Sequence, residues 1–196
     1  MKLHRKLFFG TMTCFCIITQ VMGQQGKPAK EKKHHFAFYA GVGPNYYFNN
    51  IVTFKQDVNS WNYSITGRFM WEPGSLLSVG LESGYYRLYT VNISQPSTAH
   101  VSTSAIPIQL VVSMKFLKDW YVNFNMGQSV LLNKAHADGY SDVNATVVSL
   151  GDFAASVGYK YKFPSRFSVG AEAKAYLSTK DNDFNVALLV VAGYNF

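Results

Sequence analysis

From Phe36 onward the chain alternates apolar with small or polar positions in eight separate runs. In the first, Phe36, Phe38, Ala40 and Val42 share one parity, and Ala37, Tyr39, Gly41, Gly43 and Asn45 the other. The same period of two recurs over residues 61–71, 77–86, 105–116, 120–129, 152–162, 167–177 and 184–196. Successive side chains leave a pleated strand on opposite faces, so each run predicts a β-strand. The last is the most regular. Phe184, Val186, Leu188, Val190, Ala192, Tyr194 and Phe196 oppose Asn185, Ala187, Leu189, Val191, Gly193 and Asn195. After the amino-terminal segment no stretch keeps a helical period over ten residues, and the body of the chain reads as all-β.

The connections alternate as well. Glu72-Pro-Gly-Ser75, Leu117-Lys-Asp119 and Phe163-Pro-Ser-Arg166 predict tight turns. Between them stand longer polar links, Phe48–Ser60, Asn92–Ala99, Asn133–Asn144 and the shorter Ser178–Asp183. Alternation of long and short connections suits an up-and-down membrane barrel and has no reason to arise in a Greek-key sandwich. The two faces point the same way. A soluble barrel of the lipocalin type has an apolar inside and a charged outside. Here the apolar face is nearly continuous, while the other is mostly Gly, Ala, Ser and Asn with few charges, as a cramped interior requires. Aromatic residues gather at both margins of the apolar face: Trp71, Phe116, Trp120, Tyr161, Phe163, Phe167 and Phe196 toward the tight turns, and Tyr46, Trp61, Tyr63, Tyr85 and Tyr89 toward the long links. Two such girdles around an apolar band of about 25 Å mark a surface that faces lipid. The predicted fold is an all-β, eight-stranded antiparallel up-and-down transmembrane β-barrel. The strand of Phe36 closes on that of Phe196, with Leu188 and Val190 outside.

The amino terminus changes how the charge is read. Residues 1–23 have a basic start (Lys2, Arg5, Lys6), an apolar core from Leu7 to Val21, and Val21-Met22-Gly23 at a cleavage position. That is the pattern of a secretory signal peptide, too short to span a bilayer as a helix. Both cysteines, Cys14 and Cys16, fall inside it, so disulfides and thiolate chemistry are not expected in the mature chain. Residues 24–35 read as a disordered basic periplasmic tail, and 36–196 as the barrel. The formal charge of +7 comes from 18 Lys and Arg against 11 Asp and Glu. Seven of the basic residues lie before Phe36, leaving 11 against 10 acidic ones in the body. A nucleic-acid binder needs a basic face, and this body has none to spare.

The signal, the eight strands, the asymmetry of the links and the terminal Phe196 together resemble the small OmpA/OmpX-like transmembrane barrels. Leu-Glu-Ser-Gly-Tyr-Tyr (81–86) and Ile-Pro-Ile-Gln-Leu (106–110) look like the outer-membrane β-barrel proteins of the Bacteroidota, the group that includes PorT-like barrels. The resemblance implies a bacterial outer-membrane location, with loops extracellular and tight turns periplasmic. It implies outer-membrane lipid and lipopolysaccharide as surroundings, the barrel-assembly machinery during insertion, and a larger outer-membrane complex as a partner. It brings no catalytic residue and no cofactor.

Eight strands enclose a space that side chains can fill. The inward parity carries Arg68, Glu82, Lys115, Asp152, Lys160, Glu172 and Lys174. Buried charges must pair, which makes them either a network that plugs the lumen or a gate. Outer-membrane lipid A deacylases use a His-x-Ser pair on the lipid face, and His100-Val-Ser102 has that spacing. A serine nucleophile needs a histidine base and usually an acid to orient it. None occurs between Glu82 and Asp119. His136 has no second ligand near it along the chain, and no metal site is expected. The expected function is therefore non-enzymatic: a plugged, non-conducting barrel that is structural, surface-binding or accessory to a larger assembly. A lipid A-modifying enzyme and a small-solute channel are the alternatives.

Overall fold

The computed structural model describes residues 35–48, 58–93, 99–117, 119–137, 142–180 and 183–196. The expected signal, and the expected tail up to residue 34, lie outside the described residues. Within the unit Lys33–Phe196 the predicted runs become strands β1 His35–Phe48, β2 Trp61–Glu72, β3 Leu77–Ile93, β4 Ala99–Lys115, β5 Trp120–Ala137, β6 Val143–Lys162, β7 Phe167–Ser178 and β8 Asp183–Asn195. Val58–Asn59 pairs with Val91 and Thr90 of β3 and prolongs β2 across Ser60. There is no helix among the described residues.

Each strand pairs antiparallel with its neighbours in sequence, and β1 pairs with β8 to close the ring. The Phe196 amide donates to the Phe36 carbonyl at 2.8 Å, so the seam is bonded to its last residue. Closure leaves no open edge, the condition for crossing lipid with strands.

The register fixes the barrel's shape. From Ala37 the partners run Met70, Gly80, Val111, Asn125, Ala154, Tyr176 and Asn185. Asn185 then pairs with Tyr47, ten residues further along β1. That stagger over eight strands tilts them by about 40° and sets a backbone radius of about 8 Å. All residues of this circuit are buried except Gly80, which is half-buried. A slip of one residue would turn every lumen side chain toward lipid.

The burial is that of a protein turned inside out. Leu188 and Val190 are each 62% exposed on the outer wall, as are Phe124 and Leu81 at similar values. Among the described residues, more polar or charged side chains are buried than apolar ones. In water this would forfeit the hydrophobic drive for folding. In lipid it is the favourable arrangement, as the sequence pattern predicts.

Three features depart from the sequence reading. The segment 133–144, expected as a link, is mostly ladder: Asn133 pairs with Ala145, Lys134 with Asn144 and Ala135 with Val143. The strands on either side of 94–98 are likewise long, with Ile93 paired to Ala99. Three of the connections at this end (94–98, 138–142 and 179–182) are therefore at most one residue longer than the turn 73–76. Beyond the apolar band a strand is wetted on both faces, so its alternation fades while its backbone pairing continues. Second, a bulge between Arg87 and Tyr89 shifts the β3–β4 register. It turns Tyr89 inward, where its ring meets that of Tyr47 at 4.9 Å, and Tyr89 is not part of the girdle. Third, Gly151 has φ +79° at the point where the β5–β6 register shifts. A residue without Cβ is needed for that conformation. The bulge lets Ser149 and Asp152 both face inward.

Candidate functional site

The lumen holds most of the buried charge found among the described residues. At mid-height Arg68 on β2 is the direct cross-strand partner of Glu82 on β3. Its Nε donates to Glu82 Oε2 at 2.7 Å, while its two terminal nitrogens reach Glu172 on β7 at 3.1 and 2.8 Å. Lys174, two residues along β7, donates to the other Glu82 oxygen. Two cations and two carboxylates thus span the barrel diagonally, with Arg68 using its planar fork on both acids. The remaining acceptor capacity is also used: Tyr121 OH and Asn123 donate to Glu172 at 2.8 and 3.4 Å, and Asn125 donates to Glu82 at 3.1 Å. Glu82, Glu172 and Lys174 are each 1% exposed. The stacked rings of Tyr86 and Tyr176, with centroids 5.2 Å apart, lie in the adjacent layer.

A second cluster closes the turn end. Glu72 accepts from Lys115 at 2.6 Å, from Lys160 at 3.2 Å and from Tyr39 OH at 2.6 Å, with Lys162 at 3.7 Å. The Lys160 ammonium stands 4.2 Å from the Tyr39 ring centroid, a cation–π contact. Pro73 and Gly74, which follow Glu72, place it in a turn by sequence. It is instead the last, inward-facing residue of β2, on the parity of Arg68 and Met70. That parity is the signal which could have found it.

The third cluster differs from expectation. Among the described residues no cation binds Asp152. It accepts from Ser149 Oγ at 2.5 Å, Tyr176 OH at 2.8 Å and the Thr179 amide at 3.0 Å. Hydroxyl and amide donors satisfy a carboxylate as well as an ion pair does when several converge. A further acid, Asp183, ends a polar link by sequence. It is buried and accepts from Tyr47 OH at 2.5 Å.

Between the first two clusters, a cavity lined by Tyr39, Arg68, Met70, Glu72, Ser113, Tyr121, Asn123 and Lys160 measures about 10 Å³. That is scarcely room for one water. Glycines make the tight fit possible. Tyr121 lies across Gly158 and Tyr39 across Gly193, each its cross-strand partner. A Cβ at Gly158 would stand 2.4 Å from the Tyr121 ring. Gly158→Ala is expected to displace that ring from Glu172 and cost about 1–3 kcal/mol by overpacking. The shift in urea midpoint of the vesicle-embedded barrel measures it, and an unchanged midpoint would show that the lumen has slack.

The girdle residues stand on the outer wall. Trp71, Phe116, Trp120, Tyr161, Phe163, Phe167 and Phe196 are all exposed at the turn end. Ring pairs such as Trp120–Tyr159 at 5.5 Å and Tyr161–Phe163 at 5.0 Å link them. Trp61 and Tyr63 are exposed at the other end, where Tyr46 meets Trp61 at 5.3 Å. Tyr85 is half-buried, its hydroxyl 2.7 Å from Ser104 Oγ.

His100 faces outward with the parity of the His-x-Ser reading, but its Nδ1 lies 2.6 Å from Asn92 Oδ1. A carboxamide can orient a histidine as a carboxylate does, but among the described residues no hydrogen bond joins this ring to the Ser102 hydroxyl.

No protein-family model and no curated protein sequence matches the chain. Solved structures do match its fold. Ail, the attachment invasion locus protein of Yersinia pestis, in complex with the heparin analogue sucrose octasulfate, superposes with a TM-score of 0.55 at 10% identity, over 83% of this chain and 99% of that one. A second structure of Yersinia pestis Ail gives 0.50 at 12% identity with the same coverage. Neisserial surface protein A gives 0.48 at 12% identity, over 82% of this chain and 97% of that one. The likeness is one of fold: a small outer-membrane β-barrel.

Proposed function

We propose that this chain is an integral protein of the bacterial outer membrane whose lumen does not conduct, and that it acts through its surfaces. It would serve as a structural, surface-binding or accessory member of a larger outer-membrane assembly. The observation that carries this reading is the four-charge cluster of Arg68, Glu82, Glu172 and Lys174 across the middle of the barrel. Every charge there has an opposite partner, and none is left to draw an ion through. In this reading the turn end faces the periplasm and the other end faces outward. Lipopolysaccharide and phospholipid surround the apolar band, and the assembly machinery inserts it. The motifs at 81–86 and 106–110 support a place among the Bacteroidota and PorT-like barrels. We read the chain as a non-enzyme because, among the described residues, no hydrogen bond joins the His100 ring to the Ser102 hydroxyl as a base–nucleophile pair requires. Lipid A of unchanged mass in a deletion strain is the result expected from that.

Planar-bilayer recording of the refolded protein tests the closed lumen. No reproducible unitary conductance is expected. Steady unitary steps from the wild type would overturn the proposal in favour of a small-solute channel.

A further inference from the structure

Two histidines that stand far apart in sequence become neighbours beyond the apolar band. His100, near the start of β4, is the register partner of His136, near the end of β5. Directly opposed residues of an antiparallel pair share a face, with Cβ atoms about 4.5–5.5 Å apart. Each ring is held by its own acceptor. His100 Nδ1 lies 2.6 Å from Asn92 Oδ1, and His136 Nδ1 lies 2.5 Å from Asp142 Oδ1. Asn92 is itself the partner of His100 on β3. Asp142 immediately precedes Val143, whose partner is Ala135. The register thus lines up Asn92, His100, His136 and Asp142 as one row around the wall, with both rings exposed to solvent.

The chemistry of that row is directional. A carboxamide oxygen and a carboxylate oxygen accept hydrogen bonds and cannot donate them. Each Nδ1 therefore carries the proton, which leaves the lone pair of the neutral ring on Nε2. That tautomer is the one a metal-ligating histidine uses, and an acceptor on the opposite nitrogen is the usual outer support of such a ligand. We propose that His100 and His136 form a two-imidazole site for a late first-row divalent cation such as Cu²⁺, Ni²⁺ or Zn²⁺, bound through both Nε2 atoms. Asp142 and Asn92 orient the ligands. Among the described residues no group of three or more His, Cys, Asp or Glu side chains is placed to hold a metal. Among the described residues these two imidazoles are the protein ligands, and water or an external ligand fills the other positions. Imidazole pairs favour these metals over Mg²⁺ or Ca²⁺, which take oxygen ligands.

The full chain, refolded in detergent, is titrated with Zn²⁺ or Ni²⁺ alone by calorimetry. The chain also has adjacent His34 and His35, so a His34→Ala/His35→Ala variant is run beside it. One site per chain is expected to survive in that variant. Its affinity should fall at least tenfold in His100→Ala and in His136→Ala, and about 10–100-fold in Asp142→Asn. Heat-modifiable gel mobility confirms that each variant is folded. X-ray absorption of the wild-type zinc complex should show two imidazole nitrogens at about 2.0–2.1 Å, and it decides the matter if a variant does not fold. Binding unchanged in both single histidine variants, or abolished by His34→Ala/His35→Ala alone, would overturn the site, as would a first shell without two imidazoles.

Discussion

Glu82→Gln is expected to lower the unfolding free energy of the vesicle-embedded barrel by about 3–5 kcal/mol, the usual cost of stripping one partner from a buried ion pair. Glu82 accepts from Arg68, Asn125 and Lys174 at once. Glutamine keeps the shape but deletes the charge. Arg68 and Lys174 then share the single carboxylate of Glu172, with Lys174 only 1% exposed. Burial makes the uncompensated charge costly, whereas the same deletion at an exposed pair would cost about 0.2–1 kcal/mol. Restoring neutrality tests the cause. Glu82→Gln combined with Lys174→Met should recover part of the loss, with a coupling of about 0.5–3 kcal/mol in the double-mutant cycle. Urea unfolding in phospholipid vesicles, followed by tryptophan fluorescence, reads both. A loss within the range of an exposed pair, or no coupling to Lys174, would show that the mid-lumen cluster is open to water.

Why so much of this fold is legible in sequence, and where legibility stops, follow from the same physics. Lipid demands an apolar outer parity on every strand, so β8 from Phe184 to Phe196 could be read residue by residue. The lumen parity was equally plain, which is how Arg68, Glu82, Glu172 and Lys174 could be named together. Their pairing was not legible. Glu172 and Lys174 are two apart on one strand, yet each bonds across the barrel to a different partner. That depends on the ten-residue stagger, a property of all eight registers at once. The misread positions share a local cause. Glu72 stands beside Pro73, Asp183 beside a polar link, and Tyr89 just past a bulge; in each case the alternation is interrupted within a residue or two. The His100–His136 pair was invisible for another reason. Beyond the band both faces are wet, so no hydrophobic pattern records the ladder that joins them.

Leu188→Arg is expected to cost about 2–4 kcal/mol in a bilayer, because it places a guanidinium near the midplane on the lipid face. Leu188 is near the middle of β8 and 62% exposed on the outer wall, opposite Ala173 of β7. The cost should depend on depth. Arginine at Phe196, in the turn-end girdle, should cost only about 0–1 kcal/mol, since the side chain can reach the headgroups. Asn185→Arg supplies the contrast from the other face. Asn185 is fully buried in the lumen, with Tyr176 and Tyr47 as its partners on either side. Its effect comes from overpacking and from burying an added charge, at least about 1–3 kcal/mol, and is insensitive to membrane thickness. Equilibrium unfolding in vesicles of two acyl lengths separates these origins. The Leu188→Arg cost should rise in the thicker bilayer while that of Asn185→Arg stays constant. Small, equal, thickness-independent effects at both positions would mean that the wall carrying Leu188 does not face lipid.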